Sequence, residues 1–256
     1  MNQPDHVIFS SYGNDSVALI QWAVENGLKN VAVVYSDTGW AAKEWEARAQ
    51  TVEALVRSAG FTPLRTQSEG MEALVRRKKA WPMCASKMQF CTQALKLEPA
   101  ERLLADIDPD GDAICIVGIR REESINRRTF PEWTEESEKH GGRNLWAPLV
   151  NYAKADRDLL LNTMGVEILP HRSRECFPCV CSNRGDLRML TSDRVEEIAL
   201  IEDSMGHTSK GKKRTMFRPY RHMGAIGVRE VHKWAMSERG KYEPEVAACD
   251  SGMCGD

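Results

Sequence analysis

The chain has 256 residues, a formal net charge of −2, 42% hydrophobic and 28% charged residues. That is the balance of a globular chain with one large domain plus an appendage, not of a disordered or fibrous one. Near-neutral charge gives no global field for nucleic acid, no apolar run approaches the roughly 18 residues of a membrane span, and no basic region followed by an apolar core opens the sequence, so a cytoplasmic protein without membrane contact is expected.

Val7-Ile8-Phe9 is a short run of strand formers, and Val17, Leu19, Ile20 and Val24 recur behind it at helical spacing. Between them lies the polar turn Ser10-Ser11-Tyr12-Gly13-Asn14-Asp15-Ser16. Strand, turn and helix in that order aim unpaired backbone N–H groups and the positive end of a helix dipole at one point, to which Ser11 and Ser16 add hydroxyls. The turn reads as an anion site, with an ordinary helix cap as the alternative. Val31 to Val34 forms the next strand, 43–59 a helix, 61–65 a strand, 95–105 a helix and 113–118 a strand.

This alternation predicts an α/β fold, a Rossmann-like parallel sheet with helices on both faces. Gly27, Gly60 and Gly111 stand where helices should stop. Asp106 to Asp112 imitates a calcium loop, but Val117 occupies the position that needs a bidentate Glu, so a helix-to-strand turn is expected. Residues 122–142 are charged and poor in aliphatics, which suggests a mobile segment over the site. Residues 1–190 are expected as the main α/β domain and 191–256 as an irregular to helical appendage. Within it, Lys210, Lys212, Lys213, Arg214, Arg218 and Arg221 crowd one segment, a solvated loop or a hint of a polyanionic partner. Gly206 to Lys213 nearly spells a second type of phosphate loop, but ends in Lys213 where a Ser or Thr must hold a metal.

Six segments in fixed order carry a resemblance. Ser11-Tyr12-Gly13-Asn14-Asp15-Ser16, Tyr35-Ser36-Asp37-Thr38-Gly39, Cys91 to Pro99 with Lys96, Val117-Gly118-Ile119-Arg120-Arg121-Glu122-Glu123-Ser124, Pro148-Leu149-Val150 and Cys176-Phe177-Pro178-Cys179 are similar to motifs of the phosphoadenylyl-sulfate (PAPS) reductase-like branch of the adenine nucleotide alpha-hydrolase superfamily. The resemblance implies a HUP-type fold and an ATP site. Ser10, Ser11, Gly13, Asn14, Asp15 and Ser16 would hold the β- and γ-phosphates with Mg²⁺, while Asp37, Thr38 and Gly118 would lie near the adenosine. Asp15, Lys96, Arg120 and Arg121 would be catalytic, the three cations serving the α-phosphate and the leaving group.

Eight cysteines in a chain of this class point to metal, redox or sulfur chemistry rather than structural disulfides. Cys115, inside Ala-Ile-Cys-Ile-Val, reads as a core residue. Cys176 and Cys179 have the spacing that turns two thiolates onto one ion, and Cys181 follows at once. Iron–sulfur reductases of the branch pair such a motif with an upstream cysteine element, which implies Cys91, with Cys84 as the expected fourth ligand, around a [4Fe–4S] cluster or, alternatively, zinc. Cys249 and Cys254 resemble no reductase tail and are open to a thiol carrier, a redox pair or a metal clip.

Among members of the branch, the chain looks most like the ATP pyrophosphatases of DNA phosphorothioation, of the DndC and SspD types. The implied activity is adenylation of an acceptor for sulfur insertion, with a cysteine desulfurase as sulfur source and DNA as partner; a homodimer is left open. A PAPS or adenylyl-sulfate reductase that releases sulfite, and a tRNA thiolation enzyme, are the alternatives.

Overall fold

The computed structural model describes residues 3–84, 88–217 and 226–238. Strands β1 (His6–Ser10), β2 (Val31–Asp37), β3 (Thr62–Gln67), β4 (Ile114–Val117), β5 (Trp133–Ser137) and β6 (Arg143–Trp146) form one sheet in the order β3-β2-β1-β4-β6-β5. All neighbours are parallel except β5 and β6. The sheet is thus a parallel core with one antiparallel edge strand, an arrangement common in doubly wound folds.

Alternation along the strands assigns the two faces. Ile8, Val33, Tyr35 and Ile116 pack against α1 (Asn14–Glu25), α2 (Trp45–Ser58) and α6 (Lys154–Met164). Val7, Phe9, Ala32, Val34, Cys115 and Val117 face α5 (Glu98–Ile107). Helices therefore cover both faces, as the continuous apolar strands require. Gly27 and Gly60 follow α1 and α2 with φ of +67° and +79°, the left-handed conformation that ends a helix cheaply only at glycine.

A third apolar cluster lies beyond the sheet. It joins α3 (Met71–Lys78), α7 (Arg184–Arg188), α8 (Ser192–Met205) and α9 (Val228–Met236) with Trp40, Trp81 and the cysteine segments. The boundary expected at residue 190 falls between α7 and α8, and this cluster runs across it. Among the described residues no helix is long and apolar enough to cross a membrane.

Two local expectations are refined. Asp108, wholly buried, accepts hydrogen bonds from Asp112 N, Ala113 N and Arg143, so this acidic stretch is the expected turn from α5 into β4. The charged stretch 122–142, expected to be a mobile cover, instead carries three short 3-10 turns (Arg121–Glu123, Ile125–Arg127 and Glu138–His140) and β5, which pairs with β6 and adds an edge to the sheet. Its aliphatic poverty reflects a solvent-facing edge strand, since Glu135 and Glu136 are exposed.

Candidate functional site

The strand order reverses between β1 and β4, and the turn after β1 sits at that crevice, the usual ligand position of a doubly wound sheet. Helix α1 begins at Gly13, and no side chain caps it. The capping alternative is therefore not realised. Ser10 and Ser11 spend their hydroxyls inside the turn, accepting from Tyr12 N at 3.1 Å and Gly13 N at 3.2 Å. These bonds fix the turn, and the first N–H groups of α1, at the positive end of the helix dipole, follow it directly. Ser16 Oγ lies 3.3 Å from Ser11 Oγ. Tyr12 takes the left-handed conformation (φ 57°) and stacks its ring on Tyr35 in the core, 5.0 Å between centroids.

Asp15 is buried and forms ion pairs with Arg120 and Arg157, the latter at 3.5 Å. Arg120 also reaches Glu122 at 3.0 Å. Burial would push the Arg120 guanidinium towards its neutral form, but Asp15, with Glu123 and Glu122, more than offsets this and keeps it charged. Arg157, on α6, was not legible as a site residue: one arginine in a charged helix carries no signal of its burial. Gly118 backs the turn closely enough that a Cβ there would stand 2.9 Å from the Asp15 carbonyl oxygen.

Other expected residues have different tasks. Asn14 exchanges two hydrogen bonds with the Leu169 backbone, at 2.9 and 3.0 Å, so its amide anchors the segment after α6 instead of pointing at a phosphate. Arg121 donates to Phe130 O and Asn151, which clasps the 121–130 segment to the strand-end loop and takes its guanidinium away from the role assigned to it. Asp37 is exposed and accepts from Gly39 N at 2.9 Å, while Thr38 Oγ1 donates to Glu175 O at 2.9 Å.

That last bond leads to the second half of the site. A small cleft is lined by Thr38, Cys91, Lys96, Arg172, Cys176 and Cys179, among others. Lys96 lies in a π-helical turn, Gln93–Leu97, and pairs with Glu175, both almost wholly buried. The pair ties the Cys91 segment to the Cys176 segment. The cysteine loop is further held by Phe177 N to Trp40 O (2.8 Å), Trp40 Nε1 to Pro178 O (3.0 Å) and Arg194, which stacks over Trp40 at 4.0 Å and donates to Phe177 O. Glu175, Arg172 and Arg194 were missed in the sequence because they flank motifs without belonging to any.

The thiols are not equivalent. The hydrogen bond from Cys176, together with Arg172 and the Cys181 N–H, outweighs burial and lowers the Cys179 thiol to about 6, while Cys176 is held protonated, well above its usual value. Burial pushes Cys115 up to about 12, as suits an inert core residue.

Cys84 requires a correction. It is bonded to Cys181 in a disulfide, whereas Cys91, Cys176 and Cys179 are not disulfide-bonded. A four-thiolate zinc or [4Fe–4S] centre needs four deprotonated sulfurs, and the expected set of Cys84, Cys91, Cys176 and Cys179 is one short in this state. Among the described residues no group of three or more His, Cys, Asp or Glu is arranged to hold a metal ion. As they stand the residues do not fit that centre. Cys249, Cys254, Arg218 and Arg221 lie outside the described residues.

Residues 5–179 match the phosphoadenosine phosphosulfate reductase domain, and the chain belongs to that family. Two curated relatives are an uncharacterised 37.8 kDa protein of Escherichia phage 186, 24% identical over 66% of this chain and 58% of its own length, and an uncharacterised protein of Methanocaldococcus jannaschii, 31% identical over 50% of this chain and 25% of its own. The chain thus spans little more than half of the first and a quarter of the second. Similar solved structures include the phosphoadenylyl-sulfate reductase of Candida auris (TM-score 0.44, 16% identity, 65% of this chain and 75% of that one). Another is the U34-tRNA thiolase of Methanococcus maripaludis with its [4Fe-4S] cluster (TM-score 0.45, 14% identity, 80% of this chain and 67% of that one).

Proposed function

We propose that the chain is an ATP pyrophosphatase that adenylates an acceptor so that sulfur can replace one of its oxygens. The observation that carries this is the uncapped start of α1 at the sheet's switch point, where Asp15 holds Arg120 and Arg157 and where Ser173, which lines the cysteine-bearing cleft, donates to Ser11 O at 3.5 Å. Adenylyl transfer asks the protein mainly for positioning and charge neutralisation. The first-turn N–H groups of α1 and the Ser16 hydroxyl hold the β- and γ-phosphates, and Arg120 neutralises charge that develops on the α-phosphate. Mg²⁺, when bound with the nucleotide, would supply further charge neutralisation on the phosphates.

The acceptor oxygen attacks the α-phosphorus, the bond to the bridging oxygen breaks, and pyrophosphate leaves. The terminal sulfur of a persulfide, supplied by a cysteine desulfurase, then displaces AMP, and a dithiol reductant cleaves the remaining sulfur–sulfur bond with two electrons. DNA is the acceptor we favour. Lys210 and Lys212, exposed after α8, suit a polyanion, whereas Lys213 and Arg214 are engaged with Asp203 and with the Met205 carbonyl.

The family match and the thiols around the cleft favour a second activity, reduction of PAPS or adenylyl sulfate to sulfite. Incubation with ATP, PAPS or adenylyl sulfate separates them. Pyrophosphate from ATP, stimulated by DNA, is expected; sulfite without any pyrophosphate release overturns the first proposal in favour of the second.

A further inference from the structure

A second basic run adjoins the loop after α8. Helix α3 ends in Arg76-Arg77-Lys78 and is followed by Lys79, all four exposed. Cations in a last helical turn complement the helix dipole, but that dipole amounts to only about half a charge, and Arg76 and Arg77 are already paired with Glu72 and Glu69. Among the described residues Lys78 and Lys79 make no salt bridge. Lys79 also takes the left-handed conformation (φ 49°), where a helix end favours glycine. A lysine there serves something other than the backbone.

Contacts join this run to the loop on one side and to the cleft on the other. Arg76 donates to Ser204 Oγ at 2.7 Å, which sets the end of α3 against the last turn of α8. Beyond that turn Lys213 pairs with Asp203 at 2.6 Å and Arg214 donates to Met205 O at 3.1 Å, so the 207–213 loop is tied to the end of α8 with Lys210 and Lys212 exposed on it. Towards the cleft, Lys78 Nζ lies 6.0 Å from the centre of the Phe90 ring, and Phe90 stands between Gln89 and Cys91, two residues of the cleft wall. The cations therefore run from the 207–213 loop, past the end of α3, to the edge of the cleft.

We infer that Lys78, Lys79, Lys210 and Lys212 bind the phosphate backbone of duplex DNA and lead it to the cleft. The choice of DNA rests on the adenylation proposal; the track rests on the charges alone. A row of lysines neutralises several phosphates of a duplex at once and releases their counterions. Single strands are instead held by bases stacked on aromatic side chains, and the ring on this track, Phe90, is half-buried beneath Lys78. Contacts to phosphate position a duplex without reading its bases, so the binding is independent of sequence.

The test is the fluorescence anisotropy of a short labelled DNA duplex titrated with the full chain at several salt concentrations. Lys78→Gln with Lys79→Gln, and Lys210→Gln with Lys212→Gln, should each reduce the slope of log K against log salt by about 2, at about 0.9 per phosphate contact, and weaken binding at low salt by more than about tenfold. Lys78→Arg with Lys79→Arg should keep wild-type binding. Lys29→Gln, before β2 and so at the opposite strand ends from the cleft, should change neither quantity. A wild-type chain that binds no duplex, a slope unmoved by either pair, or an equal fall per charge from Lys29→Gln overturns the track. Tighter binding of an RNA duplex overturns DNA as its occupant. Pyrophosphate release from ATP in the absence of DNA should be the same in every lysine variant as in the wild type; a wild-type chain that binds the duplex as expected but releases no pyrophosphate sinks the adenylation reading and upholds the track.

Discussion

A Cβ on Gly118 would stand 2.9 Å from the carbonyl oxygen of Asp15 and 3.1 Å from its carbonyl carbon. Both atoms are backbone, so neither can swing aside. The strand end of β4 and the start of α1 are in contact only because residue 118 has no side chain. Gly118→Ala should therefore displace the turn between β1 and α1, the proposed phosphate site, at a cost of about 1–3 kcal/mol in stability, the usual range for overpacking. ATP affinity should fall with it. Urea unfolding and a nucleotide titration measure the two; an alanine variant with wild-type ATP affinity would falsify the placement of nucleotide on this turn.

Asp15 carries a heavier load. It is 2% exposed and compensates two guanidiniums, Arg120 and Arg157, which are themselves nearly buried. Removing one partner of a buried ion pair costs about 3–5 kcal/mol, because the remaining charge stays desolvated. Asp15→Ala should lose at least that much. Arg157→Met in the Asp15→Ala background should recover part of it, since one stranded cation is gone. Chemical denaturation of the single and double variants tests this, and strict additivity would show that the two residues do not interact.

The sheet, the strand–turn–helix around residues 10–16 and the Cys176–Cys179 pair were legible because each is written in local pattern: apolar runs of strand formers, a polar turn between strand and helix, a two-residue thiol spacing. What escaped is long-range. Asn14 has the composition of a phosphate-loop residue, yet its partner Leu169 comes more than a hundred residues later. Lys96 belongs to a recognisable segment, but its counter-charge, Glu175, carries no motif of its own. The pairing of Cys84 with Cys181 joins loops 97 residues apart in sequence, and such an approach has no periodic signature. The charged stretch 122–142 misled because an edge strand and a flexible cover share the same polar composition.

The thiols give a reactivity order. Cys179 is lowered to about 6 chiefly by the hydrogen bond from Cys176, whereas Cys115 is raised to about 12 by burial. Since the thiolate is the reacting form, iodoacetamide at pH 7 should modify Cys179 before Cys176, and Cys115 only after unfolding. Peptide mass mapping over a time course reads the order. Replacing Cys176 by Ala should slow alkylation of Cys179 near pH 7 by raising its pKa; an unchanged rate would remove Cys176 as the cause.

His140 sets an acid limit on the fold. It is 1% exposed, its ring lies 5.4 Å from that of Phe9, its Nδ1 is 2.8 Å from Ser137 Oγ, and burial lowers it to about 4. In the unfolded chain a histidine titrates near 6.5. The folded state therefore binds this proton later than the unfolded state does. Stability from the neutral ring is complete above about pH 6.5 and is lost as pH falls from there towards 4, at about 1.4 kcal/mol per unit, or about 3 kcal/mol in all. Carboxylates held down by their partners, such as Glu197 beside Arg194, contribute their own losses mostly below about pH 4.5. Glu202, which burial raises above its ordinary value, works in the opposite sense between about pH 6.5 and 4.5, and it does so equally in wild type and variant. His140→Phe keeps an aromatic ring against Phe9 and has nothing to protonate, so its unfolding free energy should be flatter across that interval than the wild type's. Parallel slopes in urea titrations at pH 6.5, 5.5 and 4.5 would assign the acid sensitivity to another group.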